Sequence, residues 1–163
     1  MYIDQFEIIK AFSSGIKVEL TINQICKIIK KSYAFTNKYV HALAEEGIIL
    51  KRAIGPSILC TLDMTSERTI ACLTYLSIEK ASVFLNDSKL NIAANLKEGI
   101  VAYVKQNKLH VFSESGGSVE VEKLKVISHH LSELAGEISG LDLTHIYIVK
   151  GHEAFWRIAS KVA

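Results

Sequence analysis

Two glycine-bearing turns and a scatter of histidines are the places in this 163-residue sequence where residue type and spacing suggest chemistry. The first turn, Ser113-Glu114-Ser115-Gly116-Gly117-Ser118, is expected to lead from a strand into a helix, and the second, Lys150-Gly151-His152, into the last helix. Free backbone N–H groups at a helix N-terminus favour anions. If the two strands run parallel, Ser115, Gly116, Gly117, Ser118, Lys150, Gly151 and His152 meet at one sheet edge, where they would bind a small anionic effector such as a phosphate or carboxylate. The plainer reading is that the glycines only turn the chain and Ser118 only caps a helix.

The other reactive types are less organised. His129 and His130 are adjacent on a helix expected from about Val119 to Ile138, so they point about 100° apart and cannot share a metal as an i, i+4 pair does. His145 is expected on a strand, between Thr144 and Ile146. Cys26, Cys60 and Cys72 form no CxxC pair, which excludes a zinc ribbon or a disulfide framework and suggests buried free thiols in a cytoplasmic protein. No metal and no cofactor are expected, and with no nucleophile–base pair no catalytic residue is assigned.

A third set is polar and basic. Residues 1–63 hold eight basic and six acidic groups, whereas the remaining residues balance, so the net charge of +2 belongs to the first part. Between Lys27 and Arg52 lie six basic groups against Glu45 and Glu46, the electrostatic footprint of a specific nucleic-acid module. The near-neutral total excludes a protein that coats a polyanion with its whole surface. The chain is too apolar for a disordered tail. It has no run long enough for a membrane span, and its start, Met1-Tyr2-Ile3-Asp4, does not read as a signal peptide.

The elements that position this basic set follow from caps and periodicity. Asp4 and Glu7 read as a capping box for a first helix with Phe6, Ile8, Ile9 and Phe12 as its apolar residues, ended by Ser13-Ser14-Gly15. Val18 and Leu20 are extended. Thr21 and Gln24 make a second capping box, followed by Ile22, Ile25, Cys26 and Ile29 at helical spacing. Ser32 caps a third helix to about Glu46, with Thr36, Tyr39, Val40 and Leu43 inward and Gly47 as its stop. A hairpin follows, Ile48 to Ile54 and Ile58 to Leu62, around Gly55-Pro56-Ser57.

The segment TINQICKIIKKSYAFTNKYVHALAEEGIILKRAIGPSILCTLD, with its capped second helix, Ser-opened third helix, ALAEEGII ending and charged hairpin, resembles winged helix-turn-helix domains of MarR-like and ArsR-like regulators, especially archaeal ones. The resemblance covers residues 1–63 only. It implies double-stranded DNA as the partner, with the third helix in the major groove and the hairpin at the adjacent backbone. Tyr33, Asn37, Lys38 and His41, with Phe35 at the start of the helix, would then face the bases. Lys30, Lys31, Lys51 and Arg52 would neutralise phosphates. Ala42 stands where such regulators often carry a basic residue, so affinity per protomer is modest, and a homodimer is expected.

Residues 64–163 switch character. Ser66 caps a long helix to about Leu85 with two stripes: Ile70, Leu73, Ser77, Ala81 and Phe84 on one side, Ala71, Tyr75, Ile78 and Leu85 on the other. Asp87 is expected to cap a shorter helix through Leu90, Ala93, Ala94 and Leu96, stopped by Gly99, so that 64–98 reads as linker or dimer helices. Strands at Ile100 to Val104 and Leu109 to Phe112 flank Gln106-Asn107, a hairpin signal. After the 119–138 helix, Leu143 to Val149 reads as a central strand, and a last helix from about Glu153 buries Phe155, Ile158 and Val162.

The expected architecture is therefore mixed α+β and α/β: a winged helix-turn-helix over 1–63, then an α/β dimerisation or effector domain over 64–163 with a sheet of about three strands. The expected function is a non-enzymatic transcriptional regulator. Two alternatives remain. One is a winged helix that docks proteins in a larger assembly. The other is a degenerate nucleotidyltransferase-like domain, for which Gly117-Ser118 fits but Asp142 supplies one carboxylate where two are needed to clamp metal ions.

Overall fold

The structure, a computed structural model, describes residues 3–88, 92, 96, 100–115, 121 and 123–163. Among the described residues the chain is mixed α/β, with six α-helices and two sheets of three and four strands. It divides into two units, Met1–Leu73 and Thr74–Val162.

The first unit contains α1 (Ile3–Lys10), β1 (Leu20–Thr21), α2 (Ile22–Ile29), α3 (Tyr33–Glu45), β2 (Ile49–Ile54) and β3 (Ser57–Leu62). Its helix ends are set by short-range chemistry. Thr21 Oγ1 accepts from Gln24 N while the Gln24 side chain accepts from Thr21 N at 2.7 Å, which satisfies two otherwise orphaned donors. Ser32 Oγ accepts from Phe35 N at the start of α3. At its end Gly47 adopts φ +69°, Gly47 N donates to Ala44 O and Ile48 N to Leu43 O, the Schellman pattern. Asp4 is not a cap: it lies within α1, and its carboxylate accepts the Tyr39 hydroxyl at 3.2 Å. A tertiary partner for the carboxylate displaces the local one.

Ile8, Ile9, Phe12, Ile22, Ile25, Thr36, Val40, Leu43, Ile48 and Cys60 are buried and join the three helices to one face of the sheet. Strand order is β1-β3-β2, all antiparallel, with Lys51 opposite Cys60 and Arg52 opposite Leu59. Gly55, the first of the two residues linking β2 to β3, has φ +54°, a conformation in which a side chain is strained.

Helix α4 (Glu67–Ser88) leads into the second unit, which holds β4 (Val101–Lys105), β5 (Lys108–Ser113), β6 (Lys125–His130), α5 (Leu134–Ser139), β7 (Tyr147–Lys150) and α6 (His152–Val162). Strand order is β6-β5-β4-β7; β4 is antiparallel to β5 and β7, and β5 is parallel to β6. Gln106 and Asn107, at φ +49° and +59°, make the tight β4–β5 turn. One sheet face packs Ala102, Val104, Leu109, Val111 and Val149 with Ile92, Leu96 and Ile100. The other carries Tyr103 and Phe112, with Phe155 of α6 edge-on to Tyr103 at 6.4 Å.

Several expectations are corrected. The sheet has four strands rather than about three, because residues expected in the 119–138 helix form β6; among the described residues of that span the α-helical ones belong to α5 (Leu134–Ser139). The run Lys125 to His130 does not alternate, with Val126 and Ile127 side by side, and it is pairing with β5 (Leu109 with Val126, Phe112 with His129) that makes it a strand. Leu143–His145 is a 3-10 turn, whose start Asp142 caps by accepting from Thr144 N at 2.9 Å, so His145 is not on a strand. β7 lies at the sheet edge rather than its centre; Ile148 and Val149 are both buried, and cover on both faces suffices to produce a continuous apolar run. Asp87 lies inside α4; of the helix expected after it, Leu90, Ala93, Ala94 and Gly99 lie outside the described residues. α6 buries Phe155, Trp156 and Ala159, with Ile158 and Val162 half-buried. Among the described residues no helix is long and apolar enough to cross a membrane.

Candidate nucleic-acid interface

Helix α3 turns Thr36, Val40 and Leu43 into the core, which sets where its polar residues go. Lys38 and His41 are exposed, Asn37 is half-buried beside them, and Tyr33 in the first turn is 51% exposed. His41 Nδ1 lies 2.8 Å from Lys51 Nζ on β2. An ammonium has only protons to offer, so Nδ1 is the acceptor and His41 carries its proton on Nε2, free to donate outward.

That contact brings one residue of the hairpin to the α3 face and leaves its neighbour away from it. Side chains alternate along a strand, so Arg52 projects from the opposite face of β2, where its guanidinium meets Glu19 at 3.4 Å. Lys51 and Arg52, adjacent in sequence, therefore do not act on one surface. Asn37, Lys38, His41 and Lys51 do.

Phe35 is not aimed outward alone. Its ring packs on Tyr39 at 4.7 Å, with Lys31 Nζ 5.4 Å above Phe35 and Lys38 Nζ 5.4 Å above Tyr39. Two lysines of the candidate surface are thus held over aromatic faces, an attraction worth about 0.5–1 kcal/mol at exposed sites. Tyr39, read from the sequence only as an inner residue, is the central ring of this ladder; its i, i+4 spacing from Phe35 was the available signal. Lys30 closes α2 with φ +56°, and both Lys30 N and Lys31 N donate to Cys26 O. A lysine in the left-handed region is uncommon.

The candidate anion site falls partly outside the described residues. β5 and β7 do run in the same direction, both antiparallel to β4. Among the described residues the element that follows β5 is β6. Gly116, Gly117 and Ser118 lie outside the described residues, and Ser115 is exposed. Gly151 has φ +66°, and a Cβ there would lie 2.6 Å from Ile100 O; close approach of backbone to backbone accounts for this glycine. Lys150 is half-buried on β7 opposite Ala102.

His152 instead faces α4, its Nδ1 3.0 Å from Ser77 Oγ. A serine next to a histidine invites a nucleophile–base reading, but Ser77 Oγ also lies 2.8 Å from Thr74 O and receives Trp156 Nε1–H at 3.3 Å. All groups are satisfied when Ser77 donates to Thr74 O and accepts from both rings, which makes it a junction of α4 and α6. Burial pushes the His152 imidazole below its ordinary range, consistent with a neutral ring. Lys80 is used in a similar way: its ammonium donates to Leu143 O and Thr144 O at 3.0 and 2.8 Å and lies over Tyr147, and burial lowers its pKa. Asp142, the carboxylate of the nucleotidyltransferase alternative, caps the 143–145 turn, and its hydrogen bonds from Thr144 hold it below the usual carboxylate range. Among the described residues no group of three or more His, Cys, Asp or Glu is placed to hold a metal ion.

Comparison of the chain with protein-family models, with curated proteins and with solved structures found no match in any of the three.

Proposed function

We propose that the first unit is a winged-helix module that binds double-stranded DNA through α3, and that the chain acts as a dimeric transcriptional regulator whose remaining residues serve dimerisation or sensing. The observation that carries this reading is the contact between His41 and Lys51, which joins the polar face of α3 to the hairpin in one surface that also holds Asn37 and Lys38. In this arrangement Asn37 and His41 reach base edges, Lys38 and Lys51 neutralise phosphates, and Lys30 and Lys31 flank them at the preceding turn. Exposed Tyr75, Ile78 and Val83 on α4 support a second copy as the dimer partner.

One observation favours a second reading. Leu50 and Ile54, 54% and 48% exposed, flank Arg52 on the outward side of β2, an apolar surface that suits a protein partner better than DNA. Fluorescence anisotropy of the full chain on a mixed-sequence duplex, at low and moderate salt, separates the two. DNA binding should weaken steeply with salt and weaken further in Lys38→Ala. No binding at low salt, or binding unaffected by Lys38→Ala with Lys51→Ala, would reject the DNA reading and leave the docking one.

A further inference from the structure

On the sheet face that carries Tyr103, four rings stack in near-parallel array: Tyr103 of β4, His110 of β5, His129 of β6 and Phe112 of β5. Ring centroids lie 4.9 Å apart for Tyr103–His110, 5.4 Å for His110–His129 and 4.6 Å for Phe112–His129, with interplanar angles of 13°, 8° and 10°. Within the stack His110 Nδ1 and His129 Nε2 face each other at 3.2 Å. That gap holds one proton, shared as an N–H···N hydrogen bond, and has no room for two.

The charged and titratable groups around the pair are Tyr103 and Lys105 of β4, Lys108 of β5, Glu133 before α5 and Glu137 within it. Glu133 Oε2 is 3.5 Å from His129 Nδ1, and its Oε1 accepts from His130 N at 3.2 Å. The pair can therefore hold one added positive charge beside a carboxylate and keep its hydrogen bond. A second charge meets like charge in the other ring and in Lys105 and Lys108. Tyr103 cannot relieve it, because burial and Glu137 push its phenol up to about 12 and keep it neutral.

We propose that the His110–His129 pair is a pH-sensitive clamp across the parallel β5–β6 contact, closed while one proton lies between the facing nitrogens and opened when both nitrogens are protonated. β6 is the element such a clamp controls. Among the described residues it is an edge strand, paired to the sheet on one side only, with Val126, Ile127 and His129 half-buried and Lys125, Ser128 and His130 exposed. Burial together with His129 holds the His110 imidazole below its ordinary range, which agrees with a site that resists the second proton. This inference is independent of DNA binding by the first unit.

The test is a titration of the full chain from about pH 8 to about pH 4.5, following both imidazole C–H resonances and amide exchange in residues 125–130. The two rings should titrate in separate, coupled steps. Below the second step β6 exchange, corrected for its intrinsic pH dependence, should rise by about tenfold or more relative to residues 49–62. His110→Phe keeps the stack and removes the shared proton, so its β6 exchange should show no acid step. His129→Phe does the same from the other strand and serves if the first variant does not fold. Independent titration of the two rings with unchanged β6 exchange overturns the clamp, and so does an acid step that persists in either folded variant.

Discussion

The Lys51 ammonium donates to His41 Nδ1 at 2.8 Å, while the guanidinium of the next residue, Arg52, meets Glu19 on the other face of the same strand. The pair of adjacent cations is thereby divided between two surfaces, and only one of them continues the polar face of α3.

The first prediction follows from this division. Lys51→Ala should weaken duplex binding across sequences alike and reduce the slope of log affinity against log salt by about 1. Arg52→Ala should leave that slope nearly unchanged. Equal losses in the two variants, measured by anisotropy at several salt concentrations, would place DNA on a different surface.

Lys30 offers a test in which stability and binding move in opposite directions. Its φ of +56° costs a lysine about 1 kcal/mol that glycine avoids. Lys30→Gly should therefore raise the unfolding free energy by up to that amount while weakening duplex binding. A variant that is more stable and binds equally well would remove Lys30 from the interface.

Gly151 and Gly140 differ in what surrounds them. A Cβ at Gly151 would meet Ile100 O at 2.6 Å with φ at +66°, whereas nothing lies within 4 Å of one at Gly140. Gly151→Ala should destabilise by about 2 kcal/mol or more and Gly140→Ala by no more than about 0.5 kcal/mol. Denaturant unfolding followed by Trp156 fluorescence reports both.

Acid should destabilise the second unit through His152 as well. Burial depresses its folded-state pKa below 6.5, so the unfolded chain binds the proton first, and stability present above about pH 6.5 is lost as pH falls through the folded value. Unfolding midpoints read from Trp156, whose indole donates to the same Ser77 hydroxyl as His152, should fall between about pH 7.5 and pH 5.5. A midpoint that stays flat or rises would contradict a neutral, buried His152. His152→Gln should flatten the dependence.

The local chemistry of the first unit was legible because each signal acts within a few residues. Thr21 with Gln24, Ser32, Gly47 and Gly55-Pro56 fix helix ends and a turn through bonds that span three to five positions. The same holds for Gln106-Asn107 between β4 and β5. The polar face of α3 was legible as well, since Thr36, Val40 and Leu43 define its inner face and so the outer one.

What the sequence by itself determined about this protein is where its short-range signals agree: capped helices, tight turns, and an excess of positive charge confined to the first part. Only the tertiary structure decided the rest. Residues 125–130 continue a helical pattern and do not alternate, and pairing with β5 makes them a strand. Asp4 could cap its own helix, and the Tyr39 hydroxyl, 35 positions away, claims it instead. Lys51 and Arg52 look like one basic patch until the pleat of β2 sends them to opposite faces. His110 and His129, 19 residues apart, become a facing pair only because β5 and β6 run parallel in that register. Bonds between near neighbours are encoded where they occur, whereas burial and partnership depend on which distant segments meet.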